Sequence, residues 1–143
     1  MANEHVLMWE TDPGIPFTVA NATGIEKGTA LQLTDPMTAS AVSAVRNHVA
    51  GVAKGEKIAS DGRTKLEVFR GGIFKAVASG TITKGDALIS DHVGNKLASA
   101  AALTLLSGHI IWGVSLETCT DAETFLYELR PQYINAGAAG GIG

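Results

Sequence analysis

The chain has 143 residues, of which 45% are hydrophobic, 17% charged and 6% aromatic, with 17 Gly, one Cys and a formal net charge of −3. That length suits one domain with a core of ordinary size, and the charge is too low for a polyelectrolyte-type disordered chain and of the wrong sign for a nucleic-acid binder. One Cys excludes an internal disulfide framework and a Cys-rich zinc site, and no apolar run approaches the roughly 18–20 residues that span a bilayer.

Residues 1–14, MANEHVLMWETDPG, show no clear period and read as an N-terminal arm closed by the Pro13-Gly14 turn signal. The stretch is acidic and lacks a basic-then-apolar signal pattern, so the expectation is a protein made in the cytoplasm. From Ile15 the chain alternates through Phe17 to Ala20, and again through residues 30–34. Asp35-Pro36 followed by MTASAVSAVRN has the form of a helix start, with an N-cap Asp and Pro at the first helical position. Residues 64–70 are the clearest strand: Leu66 and Val68 face one side, Lys65 and Glu67 the other. Gly71-Gly72 then turns the chain, and residues 73–77 return it as in a hairpin. Residues 87–90, 96–98, 109–114 and 124–129 bring the count to about ten short strands, the spacing of an all-β fold. Residues 98–107 read either as a helical turn or two or as irregular chain, with Gly108 as a stop. Residues 131–143, ending NAGAAGGIG, have little to bury and read as a flexible tail.

The chain echoes itself. TGIEKGTAL at residues 23–31 matches GTITKGDAL at residues 80–88, sharing Ile-x-Lys-Gly-x-Ala-Leu. His48-Val49-Ala50-Gly51 is echoed from His109 to Gly113, and Asp61, Thr64, Leu66 and Arg70 recur 60 residues later as Asp121, Thr124, Leu126 and Arg130. The expectation is a single β domain over residues 15–130, a compact barrel or β-clip-like body with at most one or two short helices. It comprises two units of about 60 residues, repeat 1 over about 23–75 and repeat 2 over about 80–130. Each unit alone is too small to bury its apolar face. The second copy reads as a hairpin around His92-Val93-Gly94-Asn95, so the first should be a hairpin around Asp35-Pro36 rather than a helix. Gly28 and Gly85 supply the positive φ of matching turns, and Lys27 and Lys84 read as solvated turn residues.

Catalytic patterns are missing. His5, His48, His92 and His109 form no HExxH or HxH pattern, so no metal site is expected. Cys119 lies in the loop Glu117-Thr118-Cys119-Thr120 and reads as a small structural residue rather than a nucleophile. Asp12, Asp35, Asp61, Asp91 and Asp121 sit beside turn residues, where Asp caps nearby amides. There is no phosphate loop, no GxSxG elbow and no basic-aromatic interleaving. No enzyme and no cofactor is expected.

Gly51-Val52-Ala53, a polar run with Asp61-Gly62, and then Lys65-Leu66-Glu67-Val68-Phe69-Arg70-Gly71-Gly72-Ile73-Phe74-Lys75 make a distinctive succession. It resembles the tailed-bacteriophage head decoration (capsid cement) proteins of the lambda type, best over residues 48–90. The longer C-terminal half and the Gly-rich tail depart from that pattern. The resemblance implies a non-enzymatic virion protein that binds the outer surface of an expanded capsid as homotrimers and stabilises it against internal DNA pressure. Its partners would be the major capsid protein and itself, with no direct nucleic acid and no membrane. It further implies an arm that orders on the shell, here with Val6, Leu7, Met8 and Trp9 as apolar anchors. An aperiodic arm with an exposed Trp would gain its ordering on a partner edge, while the alternative folds Trp9 back onto its own barrel. Trp112, between Ile111 and Gly113, reads as core. The competing readings are a tail or head-completion component, or a β-clip small-ligand binder or enzyme.

Overall fold

The computed structural model describes residues 3–43, 48–90, 94–100 and 110–133. Their eleven strands are β1 (Val6–Trp9), β2 (Ile15–Thr18), β3 (Ala30–Asp35), β4 (Thr38–Ala41), β5 (Val49–Ala53), β6 (Lys65–Phe69), β7 (Gly72–Val77), β8 (Ala87–Ser90), β9 (Leu97–Ser99), β10 (Ile110–Ser115) and β11 (Thr124–Tyr133). No α-helix occurs among the described residues, so the mainly β, barrel-like expectation holds. Most of residues 98–107 lie outside them. Asp35-Pro36 starts no helix: β3 and β4 form a hairpin, with Leu33 opposite Ala39, and Pro36 sits at the tip where its missing N–H costs no ladder bond.

β2 to β6 close into a five-strand barrel in the order β2-β4-β3-β5-β6. β7 to β11 form a sheet in the order β7-β11-β10-β8-β9, to which β1 adds on the β7 side. The two sets follow the same plan. β2 meets β4 through a parallel bridge between Thr18 and Thr38, and the end of β7 meets β9 through a parallel bridge between Ala78 and Leu97. Ile25 bridges Lys57 in the first set and Ile82 bridges Cys119 in the second. Gly28 donates to the Ala53 carbonyl at 3.0 Å, and Gly85 donates to the Ser115 carbonyl at 2.7 Å. Gly51 and Gly113 also correspond: a Cβ on either would overlap a carbonyl oxygen of the neighbouring strand, that of Phe69 or of Glu128.

Strand pairing changes one detail of the sequence alignment. Ala53 and Ser115, the acceptors of the matching Gly28 and Gly85 N–H groups, lie opposite Val68 and Tyr127, two residues after Leu66 and Phe125. Leu66 therefore corresponds to Phe125, not to Leu126 as the 60-residue spacing suggests. Leu66 is buried and Leu126 is only half-buried, because a one-residue slip turns a strand side chain to the other face.

Gly71-Gly72 is a crossover rather than the hairpin turn its sequence suggests. β6 and β7 do not form a hairpin: β6 pairs with β2 and β5, and β7 with β1 and β11. Both edges of β6 are already occupied in the closed barrel, so the chain crosses here from one set of strands to the other.

The barrel interior holds Phe17, Val19, Leu31, Ala50, Leu66 and Val68. A larger cluster fills the second set with Leu88, Leu97, Trp112, Phe125, Tyr127 and Leu129, and Ala30, Val49, Val52 and Phe69 from the first set join it. Phe69 and Phe74 meet edge-on at 5.7 Å across the boundary, a contact worth about 1 kcal/mol beyond area burial. Trp112 is buried, as the sequence suggests.

Candidate functional site

The apolar residues of the N-terminal segment lie on an edge. β1 pairs antiparallel with β7, Val6 opposite Lys75 and Leu7 opposite Phe74, and it is the last strand of its sheet. Its other edge pairs with no strand among the described residues. Leu7 packs against the large core cluster. Val6 and Met8 are each 43% exposed, and Trp9 is 59% exposed. Simple alternation would turn Trp9 inward with Leu7. The pairing shifts between Leu7 and Trp9, where two steps along β1 match one along β7. That bulge turns Trp9 outward beside Met8.

Beside β1 runs a groove of about 350 Å³, with Val6, Leu7 and Phe69 as apolar lining and Glu4, Glu10, Lys27 and Lys54 as charged lining. Lys54 is fixed from three sides. Its ammonium donates to the Pro13 carbonyl at 2.7 Å, lies 3.2 Å from the Glu67 carboxylate and stands 5.6 Å from the Phe69 ring centroid. The linker from β1 to β2 is thereby tied to the barrel. A second cleft, of about 400 Å³, includes Arg63, Lys65 and Glu67. Its cations already have partners: Arg63 donates to the Glu56 carbonyl and Lys65 to the Thr18 hydroxyl.

What holds β1 in place begins one residue before it. His5 is 2% exposed. Its Nε2 lies 2.9 Å from the Asn95 carbonyl and its Nδ1 lies 2.7 Å from the Tyr127 hydroxyl. A carbonyl only accepts, so Nε2 carries the proton, and the Tyr127 O–H donates to Nδ1. The Trp112 indole N–H donates to the same Tyr127 oxygen at 3.2 Å. Burial holds the imidazole down to about 4, against a smaller opposing effect of the Asn95 carbonyl. Burial likewise pushes the Tyr127 phenol up. The His5 backbone N–H donates to the Gly28 carbonyl at 3.0 Å. Asn95 donates to the carbonyls of Asn3 and Gly28 and accepts from the Ala30 N–H. A Cβ on Gly28 would overlap the Glu4 side chain, so a glycine there lets the segment pass.

His48 is exposed, while His92 and His109 lie outside the described residues. Cys119 is buried, and that burial, together with the Glu123 charge, pushes its thiol up, away from nucleophilic thiolate. Among the described residues no three His, Cys, Asp or Glu side chains gather where they could hold a metal ion. Lys27 and Lys84 are exposed on their turns. Sequence reasoning singled out Val6, Leu7, Met8 and Trp9 but missed His5, Asn95 and Lys54. Each of those acts through partners distant in sequence, and no local pattern announces them.

The chain matches the family described as phage cement protein over residues 9–130. No curated protein matches it. Among solved structures, the head fiber gp8.5 N base of bacteriophage phi29 is similar in fold, with a TM-score of 0.52 and 14% identity, over 80% of this chain and 92% of that one.

Proposed function

The chain belongs to the phage cement protein family and is a structural protein of the phage capsid, and from that premise we propose that it docks on the outer surface of the expanded shell through β1. In this reading Val6, Met8 and Trp9 are the contact residues. The unpaired edge of β1 and the groove beside it receive an extended segment of the major capsid protein. The observation that carries the reading is an apolar edge strand with no partner strand on its outer side among the described residues. Exposed edges invite pairing, and natural proteins blunt them with charge or Pro, with bulges or by keeping them short. β1 is short and bulged but carries neither charge nor Pro between Val6 and Trp9.

The protein acts as homotrimers, as its sequence resemblance implies, and without catalysis. Burying the exposed parts of Val6, Met8 and Trp9 contributes roughly 1 kcal/mol each. Such contacts are weak singly, but repetition within an oligomer raises the effective affinity. Together they reinforce the shell against internal DNA pressure.

The test is co-sedimentation of the full chain with expanded capsids and with unexpanded proheads. Val6→Ser, Met8→Ser and Trp9→Ser together should weaken binding to expanded capsids at least about tenfold. Unchanged binding would refute β1 as the contact.

A further inference from the structure

We propose that His5 is an acid-operated latch: its neutral imidazole holds the N-terminal segment and strand β1 on the second set of strands, and protonation releases them while the rest of the fold persists. The inference rests on the docking reading above, since the strand it controls is the proposed contact surface.

A second imidazole proton meets an acceptor only if Tyr127 gives up its own donation to the ring. Nε2–H already donates to the Asn95 carbonyl, and Nδ1 is the acceptor for Tyr127. A proton on Nδ1 would face the Tyr127 oxygen, which already accepts the Trp112 N–H. The Tyr127 O–H would then lose its acceptor inside the core, and a cation would be buried with no carboxylate bonded to it among the described residues. Tyr127 on β11 is the titratable group in contact with the ring. Trp112 on β10 contributes a ring face 6.3 Å away, and Asn95 a carbonyl. Charged residues on the segments that meet His5 are Glu4 on the same segment, Glu26 and Lys27 beside the Gly28 turn, Lys75 opposite Val6 on β7 and Lys96 after Asn95. None of them hydrogen-bonds the imidazole.

Release need not unfold the remainder. β7 keeps its full pairing with β11, and the barrel of β2 to β6 closes without β1. Of β1, only Leu7 packs against the core formed by the described residues. His5 is thus the main buried attachment of a strand whose own side chains largely face solvent.

The experiment is amide hydrogen exchange by NMR on the full chain at pH 7 and pH 4.5, each rate divided by its intrinsic value at that pH. Protection of the β1 amides should fall about 50-fold and remain below that of the β10 and β11 amides at both pH values. His5→Gln, which can both donate to Asn95 and accept from Tyr127, should abolish the fall. If that variant does not fold, β1 protection in the parent should still fall progressively below pH 6.5 while the native imidazole resonance titrates only near 4. An imidazole that titrates near 6.5, β1 amides as protected as those of β10 and β11, or a pH effect that survives in His5→Gln would each overturn the latch. Should the latch open as expected while the Val6, Met8 and Trp9 substitutions leave capsid binding intact, the latch stands and the docking reading fails.

Discussion

Replacing Lys57 with Met should destabilise the chain by about 2–3 kcal/mol, through backbone carbonyls rather than through an ion pair. The Lys57 side chain is fully buried. Its ammonium donates to the Asn21 carbonyl at 2.7 Å and to the Ile58 carbonyl at 3.0 Å, and lies 3.2 Å from Asp61 Oδ1. Met keeps the aliphatic stem, so little packing is lost. Both carbonyls lose a charged donor, at roughly 1–1.5 kcal/mol each. The Asn21 carbonyl keeps the Ser60 N–H at 2.7 Å, which limits the penalty. Asp61 retains the N–H groups of Arg63 and Ile58 and is partly open to water, so its loss is small. Urea denaturation of Lys57→Met, Asp61→Asn and the double variant separates these contributions. The coupling between the two sites should be below about 1 kcal/mol. A coupling above about 2 kcal/mol, or a Lys57→Met chain as stable as the parent, would refute the assignment.

Other consequences follow from the same geometry. Gly51→Ala and Gly113→Ala each drive a Cβ into a neighbouring carbonyl oxygen. Each should cost about 2–3 kcal/mol or prevent folding, so an unchanged denaturation midpoint in either would contradict the close approach. Stability should also fall on acidification. His5 is neutral in the fold down to about pH 4 but protonates near 6.5 when unfolded, so the loss begins below 6.5, totals about 3 kcal/mol and levels below 4. Asp61 and Glu123, both held below their ordinary values by backbone N–H groups first of all, add their own losses as pH falls below the unfolded values of 3.8 and 4.5. Denaturation curves at pH 7 and pH 4.5 check this, and His5→Gln should flatten the difference.

Most strands and turns were legible because their signals are local, but β1 was not, since Val6 to Trp9 shows no alternation. The paired Ile-x-Lys-Gly-x-Ala-Leu motifs announced matching turns, and Gly28 and Gly85 adopt φ of 82° and 86°. The same comparison separated a hairpin at Asp35-Pro36 from the helix that its capping residues alone suggest. Strand partners were less legible. Leu66 and Leu126 match by spacing but differ in facing, because register is set by the opposite strand. Gly71-Gly72 looks like a hairpin turn until both edges of β6 are seen to be taken. Of the contact surface, the sequence yielded Val6, Leu7, Met8 and Trp9 as a group but not the bulge that turns Trp9 outward. His5 and Lys57 were illegible for one reason: a lone His and a lone Lys look like surface residues. Their burial depends on acceptors at Asn95, Tyr127 and Asn21, which only the folded chain brings near.

Electron cryomicroscopy of expanded capsids incubated with the full chain, beside capsids given the Val6→Ser, Met8→Ser, Trp9→Ser chain, tests the docking claim most directly. The expected result is density repeated over the whole outer surface, with β1 against the shell, and its absence from the substituted sample. A bare outer surface, or density confined to a single vertex as for a head-completion or tail part, would contradict it.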